Sequence, residues 1–208
     1  VRLLESLDEE DLVFCVLSGG GSALMPLPVA GITLEEKQAV TGLMMDCGAT
    51  INEINTVRKH ISQMKGGHLA RLASPATVIS LILSDVIGDP LDVIASGPTV
   101  ADPSTFADCR AIMTRYQLEN TIPASVIRYL QEGGEGRNPE TPKPGDPVFD
   151  RVQNVLIATG RQALEAARTE AEHRGYHSLI LSSSIDGETR EIARVYAAIA
   201  REIRTSGH

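Results

Sequence analysis

Three aspartates, Asp85, Asp89 and Asp92, follow closely on an apolar run that extends from Thr77 to Leu83. The run is rich in β-branched and apolar residues, a composition typical of a strand buried on both faces of a parallel sheet. In open α/β sheets, ligands bind just outside the carboxyl ends of the strands. Acidic side chains at that place suit a hydrated Mg²⁺, which prefers oxygen ligands and takes few of them from protein. The pattern therefore predicts a metal or ligand site in this loop.

The alternative for the same loop is that its carboxylates cap the neighbouring turns and helices. Capping explains one or two of the aspartates well. It explains less well why all three precede the segment Ser96-Gly97-Pro98-Thr99, which shapes a polar loop rather than a core. We therefore favour a functional role for the cluster.

A glycine-rich loop, Ser18-Gly-Gly-Gly-Ser22, follows a second short apolar run from Leu12 to Leu17. Consecutive glycines after a strand allow backbone N–H groups to converge on an anion without obstruction by Cβ atoms. The loop is not a P-loop, and it is not a dinucleotide fingerprint because Leu24 stands where the third glycine should be. Anion binding is the favoured interpretation, and a tight strand exit is the alternative.

A basic segment stands out in an otherwise acidic chain. It contains Arg58, Lys59 and Lys65, with Ser62 one helical turn after Arg58 and with Gly66-Gly67 directly after Lys65. Arg58 and Lys65 are two turns apart, so a continuous helix would place them on one face. Such a face could bind a phosphate or a carboxylate. The alternative is a solvated helix with a basic C-terminal end, which the helix dipole favours.

The composition limits the class of protein. The chain has 208 residues, 27 acidic and 19 basic, and a formal net charge of −8, which argues against a general nucleic-acid binder. Its three cysteines, Cys15, Cys47 and Cys109, lack metal-ligand spacing and indicate thiols in a reducing compartment. No apolar run reaches the roughly 18 residues of a membrane span. We therefore expect a cytoplasmic protein that acts on neither nucleic acid nor membrane.

Strand and helix patterns alternate along the chain. The predicted strands are residues 12–17, 77–83, 154–158 and 178–181, and the predicted helices are 33–47, 51–64, 104–116, 123–131, 162–173 and 188–204. Residues 133–147, rich in glycine and proline, are predicted to form a flexible loop. Alternating βα units predict an α/β fold with a Rossmann-like, doubly wound, mostly parallel sheet in a three-layer sandwich.

Several motifs resemble the glycerate 2-kinase family, the class II glycerate kinases that are often labelled hydroxypyruvate reductase. The motifs that carry the resemblance are residues 18–24, 55–62, 65–70, 84–99, 141–146 and 154–167. They occur in order over nearly the whole chain, and the motif at 84–99 is very specific.

The resemblance implies ATP- and Mg²⁺-dependent phosphorylation of D-glycerate to 2-phosphoglycerate, a step of glycerate metabolism. It also implies a Rossmann-like domain joined to a smaller C-terminal domain. Family members are longer than this chain, and their prominent catalytic Lys and Arg lie in segments that this chain lacks. We therefore expect residues 1–208 to be the core of the large N-terminal α/β domain, truncated at both ends, without the smaller domain and inactive alone.

Combined with the chemistry of the residues, the resemblance assigns candidate roles. Asp85 and Asp89 would bind Mg²⁺ or orient the glycerate hydroxyl, while Arg58 and Lys65 would neutralise charge near the transferred group. The candidate sites are catalytic (Asp85, Asp89, Arg58 and Lys65), substrate- or phosphate-binding (Ser18, Gly20, Gly21, Ser22 and Ser96) and metal-binding (Asp85 and Asp89).

Two other functions compete with this assignment. An NAD(P)H-dependent hydroxypyruvate reductase would need a dinucleotide fingerprint, which the sequence lacks. A non-catalytic ligand-binding domain is the second alternative. The sequence leaves open the position of the nucleotide pocket, the preference among small hydroxy acids and the oligomeric state. It is compatible with a homo-oligomer.

Overall fold

The computed structural model describes residues 2–206 and divides into two compact units, one ending at Thr159 and the other beginning at Gly160. The first unit contains β1 (Leu12–Leu17), α1 (Gly21–Leu24), α2 (Leu34–Asp46), α3 (Ile51–His60), α4 (His68–Ala73), β2 (Thr77–Leu83), α5 (Phe106–Arg115), α6 (Ala124–Gly134) and β3 (Val152–Ala158), with 3₁₀ turns at Ile94–Ser96 and Pro147–Phe149. The second contains α7 (Gly160–His173) and α8 (Thr189–Ser206). None of these helices is long and apolar enough to cross a lipid bilayer.

The three strands form one parallel sheet in the order β1-β2-β3, flanked by helices. In β2, residues alternate between buried and partly buried positions, and the buried Ile82 packs with Leu17 of β1 and Leu69 of α4. The parallel α/β architecture predicted from the alternation of elements is thereby confirmed. Because β1 and β2 are parallel neighbours, the loops that follow Leu17 and Leu83 leave the sheet at the same edge.

A second apolar core lies between the helices. It contains buried side chains from α2, α3, α5 and α6, including Val40, Met44, Val57, Phe106, Ile112, Val126 and Leu130. The predicted start of α2 is confirmed, because the backbone N–H of Thr33 donates to Glu36 Oε2 at 2.8 Å in a capping box. This core fixes α2 against α3, and both helices contribute residues to the site described below.

The predicted end of α3 was wrong. The helix ends at His60 rather than Met64, because the next residues pair with an earlier segment of the chain. Val29 N donates to Ile61 O at 3.3 Å, and Gln63 N donates to Leu27 O at 3.1 Å. Lys65 therefore does not continue the helical face that carries Arg58, contrary to the expectation from their spacing.

The predicted strand at residues 178–181 was also wrong. Between α7 and α8 the described residues form no strand, and Leu179 is 82% exposed. A strand needs a hydrogen-bonded neighbour, and within residues 160–206 the structure contains no other strand to pair with it. The helices predicted on either side, α7 and α8, are confirmed.

Residues 135–146 form neither helix nor strand, although the predicted loop at 133–147 begins inside the last turn of α6. The middle of this segment is buried and bonded. Thr141 Oγ1 donates to Asp102 Oδ2 at 3.1 Å, and Asp102 N donates to Pro142 O at 2.9 Å. Thr141 thus anchors the middle of the segment to Asp102. The flexibility of the segment stays a prediction.

Gly67 provides a test of how the segment before α4 is held. Its φ is +83°, its N–H donates to Gly97 O at 2.7 Å, and an added Cβ would lie 2.9 Å from Val100 O. We expect Gly67→Ala to lower the free energy of unfolding by about 1–3 kcal/mol, measured by urea denaturation. The matched control is Gly136→Ala, which has a φ of +76° and no neighbour within 4 Å of the added Cβ. An equal loss in both variants would show that backbone strain alone, without the clash, accounts for the effect.

Candidate functional site

The glycine-rich loop and the acidic loop meet at the shared edge of the sheet. Gly19 lies just after β1 and Asp85 lies just after β2. A Cβ added to Gly19 would lie 2.3 Å from Asp85 Oδ2, so the carboxylate occupies space that only glycine leaves free. The structure therefore brings these two predicted loops together, with an exposed carboxylate beside the glycines.

Ser22, at the end of the glycine-rich loop, receives hydrogen bonds from two cations. Arg58 Nη2 donates to Ser22 Oγ at 2.8 Å. Lys65 Nζ donates to Ser22 O at 2.6 Å and to Ser22 Oγ at 3.1 Å. Arg58 and Lys65 thus meet at Ser22, but not on one helical face as predicted, because they approach from α3 and from the non-helical segment after it.

The hydroxyl groups of Ser22 and Ser96 form a directional chain. Ser96 Oγ donates to Asn55 Oδ1 at 3.1 Å and lies 3.1 Å from Ser22 Oγ. Because the Ser96 proton is used on Asn55, Ser22 donates its own proton to Ser96 and accepts from Arg58 and Lys65. Asn55 thereby fixes the direction of the chain. Ser96 is 1% exposed, so it positions Ser22 rather than contacting solvent.

The backbone around Ser96 is held in an unusual conformation. Ala95, Ser96 and Gly97 have φ values of 52°, 62° and 58° in succession. Left-handed conformations of non-glycine residues cost of order 1–3 kcal/mol each and persist where the surroundings enforce them. Here Gly66 N donates to Ser96 O at 2.9 Å and ties the turn to the segment that carries Lys65. In this turn the Ser96 hydroxyl lies against Ser22.

The three aspartates have different surroundings. Asp92 lies 3.4 Å from Lys59 Nζ, and Lys59 also lies 3.4 Å from the buried Asp102. Asp89 has a φ of 54° and its N–H donates to Val86 O in a turn. Asp92 is thus held by an ion pair rather than by capping a turn, and of the three aspartates Asp85 is the one placed against the glycine-rich loop. Lys59 belongs to this ion-pair group and not to the cations at Ser22.

The residues of the glycine-rich loop are not equally available to a ligand. Gly21 N donates to Ser18 O at 3.0 Å, so the amide predicted to bind an anion is used in the turn. Gly20 has a φ of 80°, which favours glycine there, and both Ser18 and Gly20 are exposed. Ser22 is the residue of this loop whose side chain binds both cations of the site.

A cavity of about 310 Å³ opens next to Ser22. Its lining contains Ser22, Ala23, Pro26, Leu34, Lys37, Gln38, Thr41, Met45, Arg58 and Lys65. Burial, together with the nearby positive charge of Arg58, lowers the pKa of Lys65 to about 8. Burial also lowers the pKa of Arg58. The cavity therefore gathers the basic side chains of Lys37, Arg58 and Lys65 with no carboxylate in its described lining.

Within residues 2–206, no group of three or more His, Cys, Asp or Glu side chains is placed to hold a metal ion. Mg²⁺ commonly uses only one or two carboxylates and completes its shell with water and substrate phosphates. Asp85, exposed beside the glycine-rich loop, fits that kind of site as a single carboxylate. The assignment of Asp85 and Asp89 to Mg²⁺ stays a prediction.

Two residues of the site were missed by the sequence reasoning. Asn55 orients the hydroxyl chain, and Lys37 lines the cavity from α2. Lys37 could have been found, because it shares the buried stripe of α2 with Val40 and Met44, at helical spacings of three and seven residues. A lysine on such a stripe is unusual and indicates a specific role.

Comparison with known proteins shows extensive similarity. The DUF4147 family, described as a domain of unknown function, matches residues 1–131. Glycerate kinase from Mus musculus is 47% identical over 200 residues, which are 96% of this chain and 37% of the mouse protein. Glycerate 2-kinase from Pyrococcus horikoshii is 43% identical over 207 residues, which are 100% of this chain and 46% of that protein.

The fold is also similar to a solved structure. The crystal structure of glycerate kinase from Thermotoga maritima matches with a TM-score of 0.79 and 40% sequence identity, covering 100% of this chain and 47% of that one. The chain thus spans less than half the length of each of these three proteins.

Proposed function

The chain belongs to the DUF4147 family, and from its site and its relatives we propose that the whole protein carrying it is an ATP- and Mg²⁺-dependent glycerate 2-kinase. The observation that carries the proposal is the convergence of Arg58 and Lys65 on Ser22, in the same glycine-rich loop whose Gly19 lies against Asp85. Phosphoryl transfer is catalysed mainly by positioning and by neutralising charge, and it asks little covalent chemistry of the protein. Two fixed cations at a glycine-rich loop suit that task.

Arg58 and Lys65 retain donors for a ligand after binding Ser22. A guanidinium has five N–H donors and an ammonium has three. Lys65 uses two of its three on Ser22, and Arg58 uses one on Ser22 Oγ. The remaining N–H groups would bind the carboxylate of D-glycerate or the transferred phosphoryl group. Ser22 would serve mainly to hold both cations in place.

Asp85 is the carboxylate that we propose for Mg²⁺ or for orienting the glycerate hydroxyl, with Asp89 as the second candidate. Asp85 would hold the ion, and Mg²⁺ bound there would supply positive charge to neutralise the transferred phosphoryl group. Gly19 sets the position of the Asp85 carboxylate by leaving room for it. The acidic loop would thus bind the positively charged ion, and the cation pair would bind the negatively charged reacting groups. The acidic loop and the glycine-rich loop that carries Ser22 follow strands that end at one edge of the sheet.

Gly19→Ala tests this placement of Asp85. The added Cβ would meet Asp85 Oδ2 at 2.3 Å, so the carboxylate must move away. We expect kcat/KM of the whole protein to fall roughly 10- to 100-fold, while the thermal midpoint changes little because the displaced carboxylate is exposed. Gly42→Ala, whose added Cβ meets no atom within 4 Å, is the control and should keep its activity. If both variants were equally active, Asp85 would not need its present position.

Two assays on the whole protein separate the proposed kinase from the hydroxypyruvate reductase. We expect ATP-dependent formation of 2-phosphoglycerate from D-glycerate. We expect no oxidation of NADH or NADPH with hydroxypyruvate, since the glycine-rich loop lacks a dinucleotide fingerprint. Oxidation of the nicotinamide cofactor without phosphoglycerate formation would contradict the proposal. Binding of glycerate with neither reaction would favour a ligand-binding domain.

A further inference from the structure

Lys37 carries a buried amino group, Nζ, for which the described residues 2–206 provide no hydrogen-bond partner. Lys37 lies on the buried stripe of α2 and is only 4% exposed. Burying an ammonium group without compensation is costly, and buried charges in proteins are ordinarily paired. A lysine at such a position therefore suggests a ligand that supplies the missing negative charge.

The surroundings of Lys37 do not supply that charge. Lys37 lines the cavity beside Ser22 together with Arg58 and Lys65, and none of the described residues in the lining carries a carboxylate. The charged groups that face it are Arg58 from α3 and Lys65 from the segment after α3. Burial first, and then the charges of Lys65 and Arg58, lower the pKa of Lys37 to about 7. Three basic groups thus surround one cavity that contains no internal counter-charge.

We propose that this cavity binds a phosphate-bearing group and that Lys37 is a direct ligand of that group, together with Arg58 and Lys65. The inference deepens the proposed function, because it places a phosphate of the reaction in this cavity. Three basic side chains match an anion with two or more negative charges better than a single carboxylate. Ser22, Gln38 and Thr41 add neutral polar groups to the same lining.

A purely structural role and a ligand-binding role for Lys37 both allow a stable Lys37→Met variant, but they predict different phosphate binding. If Lys37 only filled space, methionine would replace it well, since the two side chains have similar length and methionine carries no charge. If Lys37 serves a ligand, Lys37→Met should keep or raise the thermal midpoint, because an uncompensated buried charge is removed. The same variant should lose affinity for phosphate. Stability and binding would therefore change in different directions.

The test is isothermal titration of the whole protein with inorganic phosphate at pH 8, in two buffers of different ionisation enthalpy. We expect Lys37→Met to weaken phosphate binding roughly 10- to 100-fold. Phosphate should also cause proton uptake by the wild-type protein, and the variant should take up less. Arg128→Met is the matched control, because it removes one positive charge from an exposed position of α6 outside the cavity. It should change the affinity by less than about twofold.

Two further titrations identify the source of the phosphate. If Lys37→Met weakens binding of ATP, the cavity holds a nucleotide phosphate, and if it weakens binding of 2-phosphoglycerate, the cavity holds the product phosphate. Unchanged affinity of a folded Lys37→Met variant for all three probes would overturn the inference. Phosphate binding needs no turnover, so failure of the proposed kinase activity with intact, Lys37-dependent phosphate binding would leave this inference standing.

Discussion

Replacing Lys65 with methionine should lower kcat/KM for glycerate phosphorylation by roughly 10²- to 10³-fold in the whole protein. Lys65 is fully buried, and its Nζ donates to both oxygens of Ser22. In a buried site, a fixed cation stabilises charge that develops in the transition state far more than it would in water. The variant should remain folded, because methionine has a similar length and brings no charge into the site.

Two controls accompany the Lys65→Met variant. Lys143→Met removes a lysine that contacts Ser104, Thr141 and Glu140 in a different cluster, and it should keep kcat/KM within about twofold. The second control is the pH profile. Because kcat/KM reports ionisations of the free enzyme and the pKa of Lys65 is about 8, the wild-type value should decline as pH rises through 8. Lys65→Met should lose that decline. A variant with wild-type kcat/KM would remove Lys65 from the mechanism.

Asp85→Asn should raise the Mg²⁺ concentration needed for half-maximal activity by roughly 10- to 100-fold. The change keeps the shape of the side chain but removes the charge that Mg²⁺ requires, and the exposed position limits any effect on folding. Steady-state rates at increasing Mg²⁺ concentration measure the shift. Because Asp89 is the second candidate ligand, Asp89→Asn tested in parallel should show whether one carboxylate or two contribute.

Asp92→Asn is the matched control for Asp85. Asp92 lies in the same loop but pairs with Lys59 at 3.4 Å, so its replacement should leave the Mg²⁺ dependence unchanged. If Asp85→Asn kept both the wild-type turnover and the wild-type Mg²⁺ dependence, the metal assignment of Asp85 would be wrong. A lower turnover at saturating Mg²⁺, with unchanged Mg²⁺ dependence, would instead indicate that Asp85 orients the glycerate hydroxyl.

Local patterns predicted the elements that carry the site. The apolar runs at 12–17 and 77–83 are β1 and β2 with the predicted bounds, and the capping box at Thr33 begins α2. These features depend on short-range chemistry, namely side-chain alternation and the satisfaction of free backbone N–H groups at a helix start. Local chemistry also indicated that the loops after β1 and β2 would carry function, and both loops meet at one edge of the sheet.

Long-range pairing is what the sequence did not reveal. The helical spacing of Arg58 and Lys65 predicted a shared face, but pairing of residues 61–63 with 27–29 ends α3 at His60. Hydrogen bonds from Gly66 N to Ser96 O and from Gly67 N to Gly97 O also hold the segment that carries Lys65. Contacts between segments this distant in sequence leave no periodic pattern in either segment.

The sequence also did not reveal which residues the aspartates of the acidic loop contact. Nothing in the spacing of Asp85 and Asp92 distinguishes the carboxylate that lies against Gly19 from the one that pairs with Lys59. Lys37 is a different case, because a lysine among the buried positions of α2 is visible in the sequence as a break in an apolar stripe. Such breaks are worth testing as functional positions, since an unpaired buried charge opposes folding.

The most direct test of the proposed site is ³¹P NMR of the whole protein's reaction mixture with D-glycerate, ATP and Mg²⁺. We expect a phosphoglycerate whose phosphorus couples to a single carbon-bound proton, as in 2-phosphoglycerate. The wild-type protein should form it, and the Lys65→Met variant should form it at a rate lower by roughly 10²-fold or more. Absence of phosphoglycerate with the wild-type protein, or equal rates for the two proteins, would contradict the account.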